Sequence, residues 1–339
     1  MTQAYAIVDG FGLDRLARVD WPAEPVPPGH VRVAVEAVSL NRRDLLLVEG
    51  KYAPRLRLPA IPCSDAAGRV VELGPGATRF ATGDRVVAHM FPDWLAGPPS
   101  AEALRSALGG PVRQGTLRRE IVLPETTLLP IPAYLSVREA ATLPCAALTA
   151  WAAVVKFGRV GAGSTVLVEG TGGVSIFALQ LAKRLGATVV ATSSAPAKRE
   201  RLRALGADAV VDYRGDPNWA ATARQHVGGA FDLVVDVVGD LETSIRSVRP
   251  GGMVAVIGVL QGSRTEITLP LVVMRQVALQ GVTCGSLEDL RHTLAALAEA
   301  ELRPVISDVF PFARAHDAFA AMGAGTHFGK IVVEMGGAD

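Results

Sequence analysis

A glycine-rich turn stands where a phosphate group could be bound. The residues GTGGVS (170–175) follow the apolar run TVLVEG (165–170) and precede apolar residues spaced three and four apart. Glycines between a strand and a helix let the backbone approach a pyrophosphate, and the helix N-terminus supplies unpaired N–H groups. The turn therefore predicts dinucleotide binding through Gly170, Gly172 and Gly173. The alternative is a glycine-rich turn without a ligand, because Ser175 replaces the third glycine of the usual fingerprint.

The end of the next apolar run indicates which dinucleotide is bound. Folds that prefer NAD place Asp or Glu there to bind the ribose 2′-hydroxyl. This chain instead has Thr192, Ser193 and Ser194, followed by Lys198 and Arg199. Hydroxyls and cations can bind a 2′-phosphate that a carboxylate would repel, so NADPH is favoured over NADH. The alternative for the two cations is a solvated helix face.

The periodicity of the sequence predicts two kinds of architecture. HVRVAVEAV (30–38) alternates apolar and polar residues, and 68–88 contains two further strands with turns at its glycines. This part is predicted to be a barrel or sandwich of antiparallel strands. From about residue 147, continuous apolar strands alternate with helices, which predicts a parallel sheet with right-handed crossovers.

Composition excludes several classes of protein. The 339 residues carry 34 basic and 33 acidic side chains, so no electrostatic surface for nucleic acid is expected. No apolar run approaches the length of a membrane span, and the N-terminus does not resemble a signal peptide. Three widely separated cysteines, Cys63, Cys145 and Cys284, indicate a reducing compartment. We therefore expect a cytoplasmic protein that does not bind membranes.

An ordered set of motifs resembles the medium-chain dehydrogenase/reductase superfamily, and within it the zinc-independent quinone oxidoreductase and enoyl reductase branch. The matching stretches are VSLNRRDLLLVEGKY (38–52), GDRV (83–86), LPCAALTAW (143–151), GTGGVSIFALQLAK (170–183), LRALGADAVVDYR (202–214), GGMVAVIG (251–258) and THFGKIVV (326–333). The resemblance implies an α/β fold, with a doubly wound Rossmann domain (147–283) inserted into a GroES-like β-barrel domain (1–146 plus 284–339). Cofactor and substrate would meet in the cleft between the two domains.

The resemblance also identifies the positions at which zinc-dependent members bind their catalytic metal. Asn41, Ser64 and Cys145 occupy the places of a Cys, a His and a second Cys, with Asp65 where an acidic neighbour would be. One thiol, an amide and a hydroxyl do not form a catalytic zinc site, so we expect no metal. The cysteine-rich lobe of those enzymes is replaced by 91–120, a loop with a short helix that would shape the pocket.

The reaction expected without a metal is hydride transfer to a conjugated acceptor. Alcohol oxidation needs a group that stabilises an alkoxide, whereas an enolate or quinol oxygen can be stabilised by hydrogen-bond donors. The implied activity is NADPH-dependent reduction of a small electrophile, either a quinone or the C=C bond of an enone or enoyl thioester. The alternatives are a zinc-type alcohol dehydrogenase and an NADPH-binding sensor or scaffold with little turnover.

Catalytic residues follow from the resemblance. Tyr52 matches a tyrosine of enoyl thioester reductases that could donate a proton, and its alternative is a loop aromatic. Asn41 could bind substrate or the cofactor amide, or only close a turn. Ser64, Asp65 and Cys145 would line the substrate cleft.

The resemblance extends to the cofactor site. Backbone N–H groups from Gly172, Gly173 and Val174 would bind the pyrophosphate. Ser194, Lys198 and Tyr213 match positions that hold the 2′-phosphate, although Tyr213 could instead cap a strand. The remaining residues expected to contact the cofactor are Thr149, Ser193, Gly239, Gly258, Val259, Phe328 and Lys330. The segment 271–282 would end on the outermost strand of the Rossmann sheet, and its exposed edge predicts a homodimer.

Overall fold

The described residues, 1–260 and 262–336 of a computed structural model, form two compact units. The first comprises Met1–Cys145 with Ser286–Asp339, and the second comprises Ala146–Gly285. The first unit is therefore assembled from both ends of the chain, with the second unit inserted. The expected fold class is confirmed: a GroES-like barrel unit carries an inserted Rossmann unit with a parallel sheet.

The N-terminal part of the barrel unit is built from short strands. Its strands are β1 (Thr2–Ile7), β2 (Leu16–Trp21), β3 (His30–Leu40), β4 (Asp65–Leu73), β5 (Arg85–Ala88), β6 (Glu120–Pro124) and β7 (Leu128–Pro130). Its helices are α1 (Arg42–Val48), α2 (Ala101–Arg105) and α3 (Val137–Ala141), with 3-10 turns at Leu13–Arg15 and Glu125–Thr127. The short helix expected within 91–120 is α2.

The Rossmann unit begins with α4 (Leu148–Trp151), which lies between π-helical turns at Leu143–Ala147 and Ala152–Phe157. Strands and helices then alternate: β8 (Thr165–Val168), α5 (Gly173–Arg184), β9 (Thr188–Thr192), α6 (Pro196–Ala204), β10 (Ala209–Val211), α7 (Trp219–Gln225), β11 (Phe231–Asp236), α8 (Leu241–Ser247), β12 (Val248–Val256), α9 (Leu269–Arg275) and β13 (Ala278–Gly281). The chain returns to the barrel unit through α10 (Leu287–Glu299), β14 (Ile306–Pro311), a 3-10 turn (Phe312–Arg314), α11 (Ala315–Ala324) and β15 (Lys330–Glu334).

The register of the barrel sheet brings three strand ends together. Over the described residues the sheet has the order β14-β15-β3-β4-β5-β7, with β6 also paired to β3. Ser39 pairs with Asp65, and Leu40 pairs with Ile331, in antiparallel ladders. Residues that follow β3, begin β4 and begin β15 therefore lie close together, although they come from distant parts of the sequence.

The Rossmann sheet brings the phosphate-binding turn beside other strand ends. Within the described residues its order is β10-β9-β8-β11-β12-β13, and every pairing is parallel. Leu167, Val190, Phe231, Val234 and Val254 form part of its buried core. The carboxyl ends of parallel strands share one edge of a sheet, so the turns after β8, β9, β11 and β12 are neighbours. Among the described helices, none has the length and hydropathy needed to cross a membrane.

Candidate functional site

A buried polar cluster forms where three strand ends of the barrel unit meet. The Lys330 ammonium donates to the Leu40 carbonyl at 2.7 Å and to Asn41 Oδ1. Asn41 Nδ2 donates to Asp65 Oδ2 at 2.9 Å, and Lys330 Nζ lies 4.0 Å from the same oxygen. Lys330 is 2% exposed and Asp65 is completely buried. The cluster thus neutralises a buried carboxylate with a buried ammonium, and Asn41 bridges the two.

The carboxyl of Asp65 has further partners. Ser64 Oγ donates to Asp65 Oδ1 at 3.2 Å. Burial raises the pKa of Asp65, while Lys330, Asn41 and Ser64 oppose this shift by favouring the charged form. The sequence identified Ser64 and Asp65 as lining a substrate cleft. Both side chains are fully buried in the barrel unit and hydrogen-bond each other, which suits them to holding the cluster together.

A second ion pair lies at the start of α1. Arg43 Nη1 donates to Asp44 Oδ1 at 3.1 Å and to the Leu108 carbonyl at 3.2 Å. The Asp44 carboxylate also accepts the Asn41 backbone N–H at 2.8 Å, which stabilises the first turn of the helix. Burial raises the pKa of Asp44 to about 6, against the opposing effect of Arg43. The loop that replaces the metal lobe therefore contacts this pair through Leu108.

Tyr52 lies over the Arg43 guanidinium. The guanidinium carbon is 4.9 Å from the centroid of the Tyr52 ring, within the range of a cation–π interaction. Arg43 is almost fully buried, whereas Tyr52 is 47% exposed. A fixed cation thus orients an accessible phenol, and the sequence alone does not indicate that Arg43 has this role.

The donor set at the metal positions of zinc-dependent relatives does not suit zinc. Asn41 has its oxygen on Lys330 and its nitrogen on Asp65, and Ser64 Oγ donates to Asp65. Cys145 is half-buried and supplies one sulfur. Catalytic zinc needs three thiolate, imidazole or carboxylate ligands. Among the described residues, no group of three or more His, Cys, Asp or Glu side chains could hold a metal ion.

The phosphate-binding turn of the Rossmann unit is held by side chains of its neighbours. The Gly170 N–H donates to Thr192 Oγ1 at 3.1 Å, which connects the turn to the end of β9. Ser175 Oγ donates to the Glu169 carbonyl at 2.7 Å. The serine that departs from the glycine fingerprint therefore closes the turn from inside.

Gly172 leaves open space at the N-terminus of α5. Its φ of −76° and ψ of 179° are accessible to any residue, and an added Cβ would meet no atom within 4 Å. The fold itself does not require glycine here, but close approach of a pyrophosphate does. The turn fits a dinucleotide on this ground. Gly173 and Val174 begin α5, so their N–H groups belong to its first turn.

The end of β9 has the hydroxyls expected for a 2′-phosphate. Ser194 Oγ donates to the Tyr213 hydroxyl at 3.4 Å, and the Tyr213 ring is 40% exposed. Lys198 is partly buried on α6, where burial and the nearby Arg201 lower its pKa. Arg199 has a different position: its guanidinium donates to the Ser194 carbonyl at 3.0 Å and to Asp212 at 2.7 Å. Arg199 therefore holds the turn.

The turns after β11 and β12 pack against each other. Gly239 has φ +93°, and an added Cβ would lie 3.5 Å from the Gly258 carbonyl. At Gly258 a Cβ would lie 1.9 Å from the Val237 carbonyl, so the close contact of the two turns requires glycine. Val259 is 54% exposed beside them. Ser193 and Thr149 are buried in this unit, and Phe328 is buried in the barrel unit.

The buried charged and acidic side chains were not predicted from the sequence. Arg43 lies within VSLNRRDLLLVEGKY, Glu169 lies within TVLVEG, and Asp236 lies three residues before Gly239, but nothing in the sequence indicates their partners. Lys330 was predicted to bind cofactor, and this stays a prediction, with its ammonium hydrogen-bonded to Leu40 and Asn41. A lysine or glutamate that ends or begins an apolar strand was the available signal, since such residues are rarely buried without a partner.

Family models match both units. The alcohol dehydrogenase GroES-like domain matches residues 27–133, and the zinc-binding dehydrogenase domain matches residues 173–299. A zinc-type alcohol dehydrogenase-like protein of Schizosaccharomyces pombe is 36% identical over 99% of this chain and 100% of its own length. The chain therefore belongs to the medium-chain dehydrogenase/reductase superfamily, and it is an oxidoreductase of that superfamily.

Its relatives have different reported activities. A chloroplast quinone oxidoreductase of Triphysaria versicolor is 31% identical, covering 96% of this chain and 95% of that protein. A 2-methylene-furan-3-one reductase of Solanum lycopersicum is 30% identical, covering 98% of this chain and 78% of that protein. The structure of an NAD-dependent alcohol dehydrogenase matches with a TM-score of 0.89 and 34% identity, over 98% of this chain and 100% of the other.

Proposed function

We propose that this protein reduces a quinone or a conjugated C=C bond with NADPH and without zinc. The observation that carries the proposal is the hydrogen bonding of Asn41 and Ser64, whose side chains are committed to Lys330 and Asp65. A metal would have to displace a buried ammonium that already compensates the carboxylate. Quinone and enone reductases among the relatives support the same class of acceptor.

Different residues of this chain would bind the cofactor and transfer the proton. Gly172, Gly173 and Val174 would bind the pyrophosphate through their N–H groups. The cofactor, when bound, supplies a hydride to the electrophilic carbon of the acceptor. Tyr52 would then donate its hydroxyl proton to the substrate oxygen or carbon on which negative charge develops. The adjacent Arg43 guanidinium would stabilise the charge left on the phenol oxygen.

The roles of Asn41 and Lys330 in this proposal are structural. Both ends of the Asn41 amide are engaged within the barrel unit, which favours a positioning role over direct substrate binding. Lys330 would supply the fixed positive charge of the same cluster. Neither residue takes part in proton transfer.

NADPH is proposed over NADH on the chemistry around Ser194. Ser194 and Tyr213 offer hydroxyls, and Lys198 offers a cation on the next helix. The Asp212 carboxylate accepts from the Arg199 guanidinium and from the Arg214 and Gly215 N–H groups. A 2′-phosphate would therefore meet donors at this position. NADH remains the second candidate, because one structural neighbour is an NAD-dependent enzyme.

A second copy of this chain is the partner that we propose. Strand β13 is the outer strand of the described Rossmann sheet, and Leu279 on it is 37% exposed. Helix α9, immediately before it, exposes Val273 and Met274 at 69% and 82%. An exposed strand edge with adjacent apolar side chains suits two-fold pairing. A dimeric mass by light scattering that Leu279→Pro converts to a monomer would support this, and a wild-type monomer would contradict it.

The function is tested by following NADPH oxidation with chelator-treated protein whose metal content has been measured. The acceptors are a naphthoquinone, a cyclic enone and crotonyl-coenzyme A, with NADH as parallel donor and a primary alcohol with NADP⁺ as the reverse assay. We expect turnover with NADPH that added zinc does not increase. Alcohol oxidation that appears only with zinc would contradict the proposal. Tight NADPH binding with no turnover would favour the sensor or scaffold alternative.

A further inference from the structure

Two carboxyl groups are buried side by side at the centre of the Rossmann sheet. Glu169 directly follows β8 and Asp236 is the last residue of β11, and these two strands are neighbours. Glu169 is 2% exposed and Asp236 is fully buried. Ser244 Oγ lies between them, 3.0 Å from Asp236 Oδ2 and 3.4 Å from Glu169 Oε1. Nothing in the proposed reaction uses this pair.

Each member of the pair is attached to a turn beside the proposed cofactor site. The Glu169 carbonyl accepts from Ser175 Oγ, which closes the phosphate-binding turn. Asp236 Oδ1 accepts the N–H groups of Val238 at 2.8 Å and Gly239 at 2.7 Å. Asp236 is therefore bonded to the turn after β11 through its carboxyl group, and Glu169 is bonded to the turn after β8 through its main-chain carbonyl.

The hydrogen bonding requires one proton on the pair. The Ser244 hydroxyl lies within hydrogen-bonding distance of both carboxyl groups but has a single proton to donate, so it could not satisfy two carboxylates at once. Asp236 already accepts from two N–H groups, and the Ser244 hydroxyl lies within hydrogen-bonding distance of its other oxygen. All three contacts bring donors to the Asp236 carboxyl group. In the described part of the chain no N–H or O–H donor reaches Glu169 Oε2, which leaves this carboxyl to carry the proton.

We propose that Glu169, as a neutral carboxylic acid, donates its proton to Asp236, and that the pair acts as a positioning device holding the two turns in the geometry that binds the dinucleotide. The identity of the ligand rests on the proposed function. The device itself rests on the burial and the hydrogen bonds. Glu169 and Asp236 do not contact the ligand; they act through Ser175, Val238 and Gly239.

The device makes cofactor binding depend on pH. Burial, and then the charge of Asp236, raise the pKa of Glu169 well above its ordinary value, and Asp240 at the N-terminus of α8 acts in the same direction. Loss of the Glu169 proton would place two like charges in contact in the interior. The turns would then separate or rearrange, so affinity is expected to fall as pH rises and not as it falls.

The first experiment measures the NADPH dissociation constant of the full-length protein from about pH 6 to about pH 9.5 by fluorescence, since the pair titrates as a unit. Wild-type affinity is expected to weaken about 10-fold across the range. This corresponds to a difference of roughly one unit between the pKa of the pair in the free and in the NADPH-bound protein. Glu169→Gln keeps a donor toward Asp236 but cannot ionise, so its affinity should change by less than about 2-fold. Glu169→Leu removes the donor and should bind weakly at every pH.

Glu242→Gln is the matched control. Glu242 is a carboxylate of α8 in the same unit that pairs with Arg246 and Thr268, outside the Glu169 pair. Its variant should retain the pH dependence of the wild type. A wild-type affinity that does not vary with pH, or a Glu169→Gln variant that follows the wild type, would overturn the proposal.

A second readout needs no cofactor. A group whose pKa is raised in the folded state stabilises the fold below its unfolded pKa, and this stability is lost as pH rises through the folded pKa. The Tm of the unliganded wild type should therefore fall relative to that of Glu169→Gln as pH rises. If NADPH fails to bind at any pH while this difference is seen, the proposed function fails and the proton-sharing pair stands. Parallel Tm profiles overturn the pair whatever binds.

Discussion

The two units bury charge in opposite ways. In the barrel unit, Lys330 lies against Asp65, and Arg43 lies against Asp44, so each of these two buried carboxylates has a buried cation. In the Rossmann unit, Glu169 lies against Asp236, and both are acids. In the first arrangement, cationic side chains neutralise the charge of the carboxylates. In the second, only a proton taken from solvent reduces the negative charge of the two acids.

The two regions are expected to respond differently to added metal and to pH. A compensated cluster has no need of an added cation, because its own ammonium already compensates the carboxylate. A pair of acids responds to pH, because removal of one proton changes its net charge in a place that water does not reach. The barrel cluster is therefore expected to be insensitive to metal, and the Rossmann pair sensitive to pH.

The largest effect is expected from breaking the compensated cluster. Lys330→Met keeps most of the side-chain volume but removes the ammonium that Asn41 and Asp65 contact. We expect a loss of about 3 kcal/mol in the free energy of unfolding, since a buried charge loses its partner. Urea unfolding measures it.

An exposed ion pair between the strand of Lys330 and α3 serves as the control for that loss. Glu334→Gln breaks the ion pair between Glu334 and Arg138. The side chain of Glu334 is 34% exposed and that of Arg138 is 48% exposed. It should cost less than about 1 kcal/mol. Equal losses in the two variants would mean that the buried cluster contributes no more than a surface contact.

A smaller effect is expected from a change at Tyr52, and it distinguishes proton transfer from NADPH binding. Tyr52→Phe keeps the ring over Arg43 and removes the hydroxyl. With an enone acceptor we expect kcat to fall about 100-fold, as for loss of a general acid, with the NADPH dissociation constant unchanged. Stopped-flow kinetics and fluorescence titration measure the two quantities. An unchanged kcat would reduce Tyr52 to a loop aromatic.

The smallest expected effect concerns Gly172 of the Rossmann unit. Gly172→Ala adds a methyl group in open space, so the free energy of unfolding should stay within about 0.5 kcal/mol while NADPH affinity falls about 10-fold. Calorimetry measures both. Gly258→Ala is the contrasting variant, because its methyl group would clash with the Val237 carbonyl and destabilise the fold itself. A Gly172→Ala protein with full affinity would contradict a pyrophosphate at this turn.

Much of the architecture was predictable from local pattern. Alternation in 30–38 predicted β3, and continuous apolar runs predicted buried parallel strands such as β8 and β11. GTGGVS predicted the turn into α5 because glycine, strand and helix signals coincide within a few residues. These features depend on neighbours in sequence, and so does the short helix α2.

The composition of the polar clusters was not predictable in the same way. Asn41 and Lys330 are separated by 289 positions, and Glu169 and Ser244 by 75. Asn41 and Glu169 directly follow strands and Lys330 begins one, whereas Ser244 lies within α8. Their contacts arise from which strands are neighbours and in which register, and sequence periodicity carries no information about either.

The amino-acid sequence by itself determined the types of element, their order, the glycine turn and the absence of a carboxylate directly after β9. These follow from side-chain periodicity and backbone preference, which act over a few residues. Only the tertiary structure decided that Lys330 compensates Asp65, that Arg43 lies under Tyr52, and that Glu169 meets Asp236. Which charged side chains interact depends on the distances between them in the folded protein, and burial determines how strongly they interact.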